Sequence, residues 1–158
     1  MGPLVQGFKT EFDRFFGYQK KQIADCPEEI WKKKSGGFYF WQQHLHCLYC
    51  MALFAAGENE PEPQIPFSRG VAMLTEEPQG SMSKAEMLAF ADKMEAVAYA
   101  FMNSLSDADL AGRNERMSKT FKRDCINQSV LIALVRHCCY HLGCCDSVLR
   151  EHGLPGVY

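Results

Sequence analysis

The stretch Arg136–Gly153, RHCCYHLGCCDSVLREHG, decides how the rest of this chain is read. It reads as the end of a long helix that begins near Lys122 or Ile126 and runs to His152, with Gly153 as its stop. His137 and His141 sit one helical turn apart within it. Residues i and i+4 share a helix face, so both imidazoles can point at one spot, and a transition metal would hold them there. The same spacing also fits a polar strip on a helix surface. A zincin protease would need Glu directly after the first histidine; Cys138 stands there, so the built-in general base is missing.

Working back from that stretch, apolar residues recur at helical spacing three more times. Leu4, Val5, Phe8, Phe12, Phe15, Phe16 and Ile23 predict a first helix from Leu4 to about Ala24. Pro27, Glu28 and Glu29 suit the first turn of a short helix reaching Trp31, and Gly36 and Gly37 then break the chain. A second long helix is expected from about Tyr39 to Ala56, apolar nearly all round and therefore buried. Ser83 and Glu86 form a capping box that opens a third helix, whose stripe runs from Met87 to Leu105.

Between the second and third helices lies Gly57–Ser81, rich in Pro and Gly. It reads as a long crossover, not a helix, whose Ile65, Phe67, Val71, Met73 and Leu74 lie on the helices beside it. Ser106–Lys119 reads as a polar link. No run alternates apolar and polar residues, so no strand is expected. The pattern predicts an all-α fold: a four-helix bundle with one long crossover between helices 2 and 3, filling a single domain over residues 1–158.

Composition narrows the function. A net charge of −2 and no basic run longer than Lys32–Lys34 argue against nucleic acid as a partner. The segment MGPLVQGFKTEF lacks the order of a secretory leader, Gly2 lacks a myristoylation context, and no apolar run approaches a membrane span. The expectation is a cytoplasmic protein without a membrane partner. Eight cysteines (Cys26, Cys47, Cys50, Cys125, Cys138, Cys139, Cys144 and Cys145) cluster in apolar helical stretches and read as reduced, packed thiols. Cys47 and Cys50 make a C-x-x-C without the strand-helix context of a redox motif. No phosphate loop, dinucleotide fingerprint or serine-nucleophile motif is present.

The second helix carries His44 and His46, which face nearly opposite sides, so at most one can join His137 and His141. Three nitrogens with an open fourth position is the pattern of catalytic rather than structural zinc, and bundle cores build such sites from facing helices.

Three stretches together resemble the DinB/YfiT-like superfamily of four-helix metalloproteins. FWQQHLHCLY (40–49) is similar to that family's Phe-Trp-Gln and spaced His; PEPQIPF (61–67) with SKAEMLAF (83–90) is similar to its crossover and third-helix start. RHCCYHLGCCDSVLREHGLP (136–155) follows its Arg-His-x-x-x-His-x-Gly and Leu-Arg-x-x-Gly pattern. The resemblance spans nearly the whole chain in order. It implies metal ligands His46, His137 and His141, a divalent ion such as nickel or zinc, a small-molecule substrate with a low-molecular-weight thiol among the candidates, and a homodimer. The reactions it implies are thiol transfer, isomerisation or hydrolysis, and nothing in the sequence chooses among them.

The chain departs from that pattern at Cys144, where the family often carries Gln or His. Cys144 is read as a packing residue, a thiol beside the metal, or a fourth ligand that would close the site. Tyr49 and Arg136 are further candidates around the ligands, as a hydrogen-bond donor and an anion-binding group, and each also fits a structural role, as do Tyr140 and Arg150. His44 is expected on the helix surface and His152 at the last helix's C-terminus. The competing reading is a non-catalytic metal-binding or redox-sensing bundle that acts through partner binding.

Overall fold

Four long helices carry most of the chain, and why each forms and stops is visible at its ends. The structure is a computed structural model that describes residues 2–158; Met1, part of the expected 1–158 domain, lies outside the described residues. Helix α1 spans Pro3–Asp25, with Pro3 in the first turn where a missing N–H costs nothing, and buries Val5, Phe12, Phe16 and Ile23. A single turn, α2, spans Glu28–Trp31. Helix α3, Phe40–Ala55, is buried on almost every side. Helix α5, Lys84–Asn103, opens with the expected capping box: Ser83 Oγ accepts from Glu86 N–H, and Glu86 accepts from Ser83 N–H at 2.9 Å. Helix α7, Asn127–Glu151, ends at Gly153 with φ of +74°. There Leu154 N–H reaches Leu149 O and Gly153 N–H reaches Arg150 O, a Schellman closure that needs the left-handed residue.

The side-chain pairings fix the directions of these helices. Cys138 meets Gln19, and Leu142 and Asp146 meet Gln22, so α1 and α7 run parallel. Gln43 meets His141 while Phe54 meets His137, so α3 runs against α7. Phe12 and Asp13 meet Tyr99, and Lys20 meets Glu95 and Asp92, so α5 runs against α1. Helices α3 and α5 therefore point the same way, and the crossover must carry the chain back along their length. Each of α1 and α3 packs against both α5 and α7. The residues between them, from Phe12 and Phe16 to Leu45, Leu48, Met87, Met102, Leu131 and Leu134, form a hydrophobic cluster. Among the described residues no helix is long and apolar enough to cross a membrane.

Three local readings change. The chain does contain strands: β1 (Lys34–Ser35) pairs antiparallel with β2 (Phe38–Tyr39), too short to show alternation. Gly36 and Gly37, at φ of +60° and +95°, form the two-residue turn between them. The crossover includes one helical turn, α4 (Arg69–Ala72), capped by Ser68. The polar link folds into a 3-10 turn at Asp107–Asp109 and helix α6, Glu115–Phe121, where the Asn114 side chain caps the Met117 N–H.

Candidate metal centre

Antiparallel packing of α3 on α7 brings His46 level with His137 and His141. The ring centroids lie 5.0 Å (His46–His137), 4.8 Å (His46–His141) and 4.5 Å (His137–His141) apart, and one ring nitrogen from each lies within 4.8 Å of the others. The His141 ring meets the other two nearly edge to face, at 68° and 70°, so the three rings do not stack. This three-histidine cluster could hold a metal ion. A tetrahedral ion at 2.0–2.1 Å from each nitrogen needs nitrogens about 3.4 Å apart, within reach of small rotamer changes.

Two of the rings are oriented from behind. His46 Nδ1 lies 2.8 Å from the Ala72 carbonyl, which can only accept, so Nδ1 carries the proton and Nε2 keeps its lone pair. His141 Nδ1 lies 2.7 Å from Gln43 Oε1 and is fixed the same way. The third ring supplies the fit test: His137 Nε2 is buried with no hydrogen-bond partner. A buried ring nitrogen without a partner is costly, and with Nε2 unprotonated a cation at the centre would satisfy it.

Burial keeps the three rings neutral. It pushes His137 down to about 4, helped by His46 and Arg136, and His141 down to about 2, helped by its two neighbours and His44. His46 is also lowered by burial, against the opposing pull of the Ala72 carbonyl. Neutral imidazole is the ligating form, so the site is ready for a metal near pH 7 without proton release from these rings. Phe54 closes one side, its ring edge-on to His137 at 5.5 Å, and Tyr140 stands edge-on to His141 at 5.0 Å.

The other candidates lie elsewhere. Cys144 is not part of the convergent group; it lines a cleft of about 340 Å³ with Gln43, Tyr140, Ser35 and Ser147, beside the hairpin. Gln43 connects that cleft to His141. The Tyr49 hydroxyl donates to Glu62, which also pairs with Arg69 at 3.0 Å. Arg136 is exposed on α7, where it lines the groove shared with α1. His152 caps α7, donating Nδ1–H to Val148 O at 2.8 Å. Arg150 pairs with Asp146 at 3.5 Å.

His44 is corrected: it is 1% exposed, not on the surface, and stacks on Trp31 with centroids 5.9 Å apart. Two residues after it, roughly 200° around the helix, His46 faces α7. Both faces of α3 are interior, which a helix with no polar side cannot reveal. The cysteines are all free thiols, and burial raises Cys26 and Cys50 to about 12 and Cys47 and Cys145 well up.

Sequence reading missed Gln43, the Ala72 carbonyl and Cys50. Gln43 and Ala72 act across the fold and leave no local signal. Cys50 was accessible to the rule used on α7: it lies four residues after His46, and its Sγ is 3.8 Å from both nitrogens of that ring. Compared with family models, with curated proteins and with solved structures, the chain matches none.

Proposed function

We propose that this chain is a single-domain four-helix bundle of the DinB/YfiT-like type and a metal-dependent enzyme acting on a small molecule. Its ligands are His46, His137 and His141. The reading rests above all on one observation: three imidazoles held neutral by burial come together, two with Nδ1–H bonded from behind and the third with a buried Nε2 that has no hydrogen-bond partner. The parallel pair α3 and α5, with a long crossover between them, supports the bundle topology.

The donor set favours nickel or zinc. Three imidazoles with no carboxylate suit borderline transition ions and fit poorly to calcium or magnesium, which take oxygen ligands. A divalent ion held there would supply Lewis acidity, its remaining positions open to a substrate donor atom. The chain's own residues do the rest. Gln43 and the Ala72 carbonyl keep two rings in the ligating tautomer, and Phe54 shields the His137 side from water. A low-molecular-weight thiol is the proposed co-substrate class, and its sulfur would suit a soft, open position.

Elemental analysis of protein purified without chelator tests the site. The expected result is about one equivalent of metal for the wild type and none for the His46/His137/His141→Ala triple variant, with unchanged helicity. Equal substoichiometric metal in both would remove the proposal. A thermal-shift screen of the loaded protein against small thiols then tests the substrate class, a rise in melting temperature being the expected outcome.

A further inference from the structure

The crossover touches the His46 ring through the Ala72 carbonyl, so whatever fixes that carbonyl acts on the ring. Ala72 is the last residue of α4, a single helical turn. One turn is too short to hold itself in water, because its nucleus costs more than its few bonds return. Ser68 supports its start, its Oγ accepting from Val71 N–H at 3.2 Å. The exit is unfavourable. Leu74, two residues beyond the turn, lies at φ of +60°, a left-handed conformation that leucine rarely adopts. The turn therefore takes its position from groups that grip it from outside.

Two grips are present. Arg69 pairs with Glu62 at 3.0 Å, but the side chains are 58% and 41% exposed, where an ion pair is weak. Gln42 is the other grip, and it is 2% exposed. Its Nε2 donates to Val71 O at 3.1 Å and to Glu76 O at 3.2 Å, one on each side of Leu74. Both partners are carbonyls, so only the nitrogen of the amide can face them. The bond to Val71 is buried, and a buried hydrogen bond is electrostatically stronger than one in water.

Gln42 and His46 are four residues apart on α3 and share a face of it. They take consecutive carbonyls of the crossover, Gln42 that of Val71 and His46 that of Ala72. The same helix face thus both places the turn and receives its carbonyl. Gln43, about 100° further round, reaches His141 instead. The neighbouring glutamines serve different histidines, Gln43 by direct contact and Gln42 through the turn.

We infer that Gln42 is a positioning residue for His46, acting through α4 and the Ala72 carbonyl to keep Nε2 free for a metal; for the ion it serves, this rests on the three-histidine reading. Nitrogen-15 NMR of the histidine rings in the metal-free full chain at pH 7 tests it. Wild-type His46 is expected as the Nδ1–H tautomer. Gln42→Met keeps the length of the side chain and loses both donors. It should turn His46 into a mixture of the two tautomers, while His141, held by Gln43, keeps its own. Gln42→Asn retains the donors one carbon short; it should give a smaller shift in the same direction, and it serves if the methionine variant does not fold. Zinc affinity, measured by competition with a chromophoric chelator, should fall about tenfold in Gln42→Met. A His46 tautomer unchanged in both variants would overturn the proposal. So would His46 and His141 changing together, the mark of a general loosening. A wild type without affinity for zinc or nickel would sink the metal reading, and the ring tautomers would still decide whether Gln42 positions His46.

Discussion

Gln43 is half-buried, carries no charge and would not itself bind a metal, yet it holds His141 in the tautomer a metal requires. Support of this kind is worth roughly 10- to 100-fold in metal affinity. Gln43→Leu is therefore expected to weaken metal binding by that factor, measured by competition with a chromophoric chelator, while the melting temperature of metal-free protein barely moves. An unchanged affinity would show that His141 needs no orientation. His44 gives a second residue-level prediction. Burial holds it down to about 3, against an ordinary value of 6.5. The unfolded chain thus binds a proton that the folded chain refuses between those values. Stability is complete above about pH 6.5 and falls as the pH drops toward 3, by up to about 1.4 kcal/mol per unit for this one group. His137 and His141 are displaced in the same direction and steepen the fall. Urea titrations at pH 7, 6 and 5 should show a shallower acid slope for His44→Phe than for the wild type; parallel slopes would refute the assignment. The sequence showed that His44 and His46 cannot face the same way, but not that both face inward. Surface and interior are told apart by a polar stripe, and α3 has none.

Elements were legible in proportion to their length. The four long helices announce themselves by repeated apolar spacing and by end signals such as Ser83 with Glu86 and Gly153. The hairpin is two residues a side, so period-2 alternation has no room to appear, although its Gly-Gly turn was in plain view. Helix α6 buries little beyond Met117 and Ser118, so its seven residues carry no stripe and depend on the Asn114 cap. At the far end of α7, Asp146 is 2% exposed and joins three segments. Its Oδ1 accepts from Gln22 Nε2 at 2.6 Å and from Val157 N–H at 2.9 Å, and Oδ2 accepts from Tyr158 N–H at 3.1 Å. Asp146→Ala leaves these donors unpaired and is expected to cost about 2–3 kcal/mol. It should also free the tail, seen as faster amide exchange at Val157 and Tyr158. A loss under about 0.5 kcal/mol would mean that the aromatic contacts of Tyr158 with Phe15 and Tyr18 hold the tail by themselves.

At the scale of the whole molecule, a metal bound at the proposed centre joins α3 to α7 and should act on the entire fold. Binding only to the native state, at a free concentration 100 times its dissociation constant, adds about 2.7 kcal/mol. The melting temperature is expected to rise by several degrees with zinc or nickel and to return with chelator. No shift in the triple histidine variant should accompany it. A rise of equal size in that variant would place the effect elsewhere. The pairing that matters most for this site was the least visible in the sequence. Spacing relates residues on one helix, whereas the contact of α3 with α7 is set by the packing of the complete chain.

That arrangement also has an order in time. His46 leaves the site of synthesis early, and its two partners follow roughly ninety residues later, at a rate of about 5–20 residues per second. For those seconds the nascent chain offers a lone imidazole, too poor a ligand to retain an ion. Helix α1 waits longer still for its parallel neighbour α7. Metal capture at the proposed centre would therefore wait until His137 and His141 have emerged and α7 has folded onto α3. A chain that stops short of His137 lacks two of the three histidines and the α7 surface on which α1 packs, so metal bound at the proposed centre would report that synthesis had passed His141.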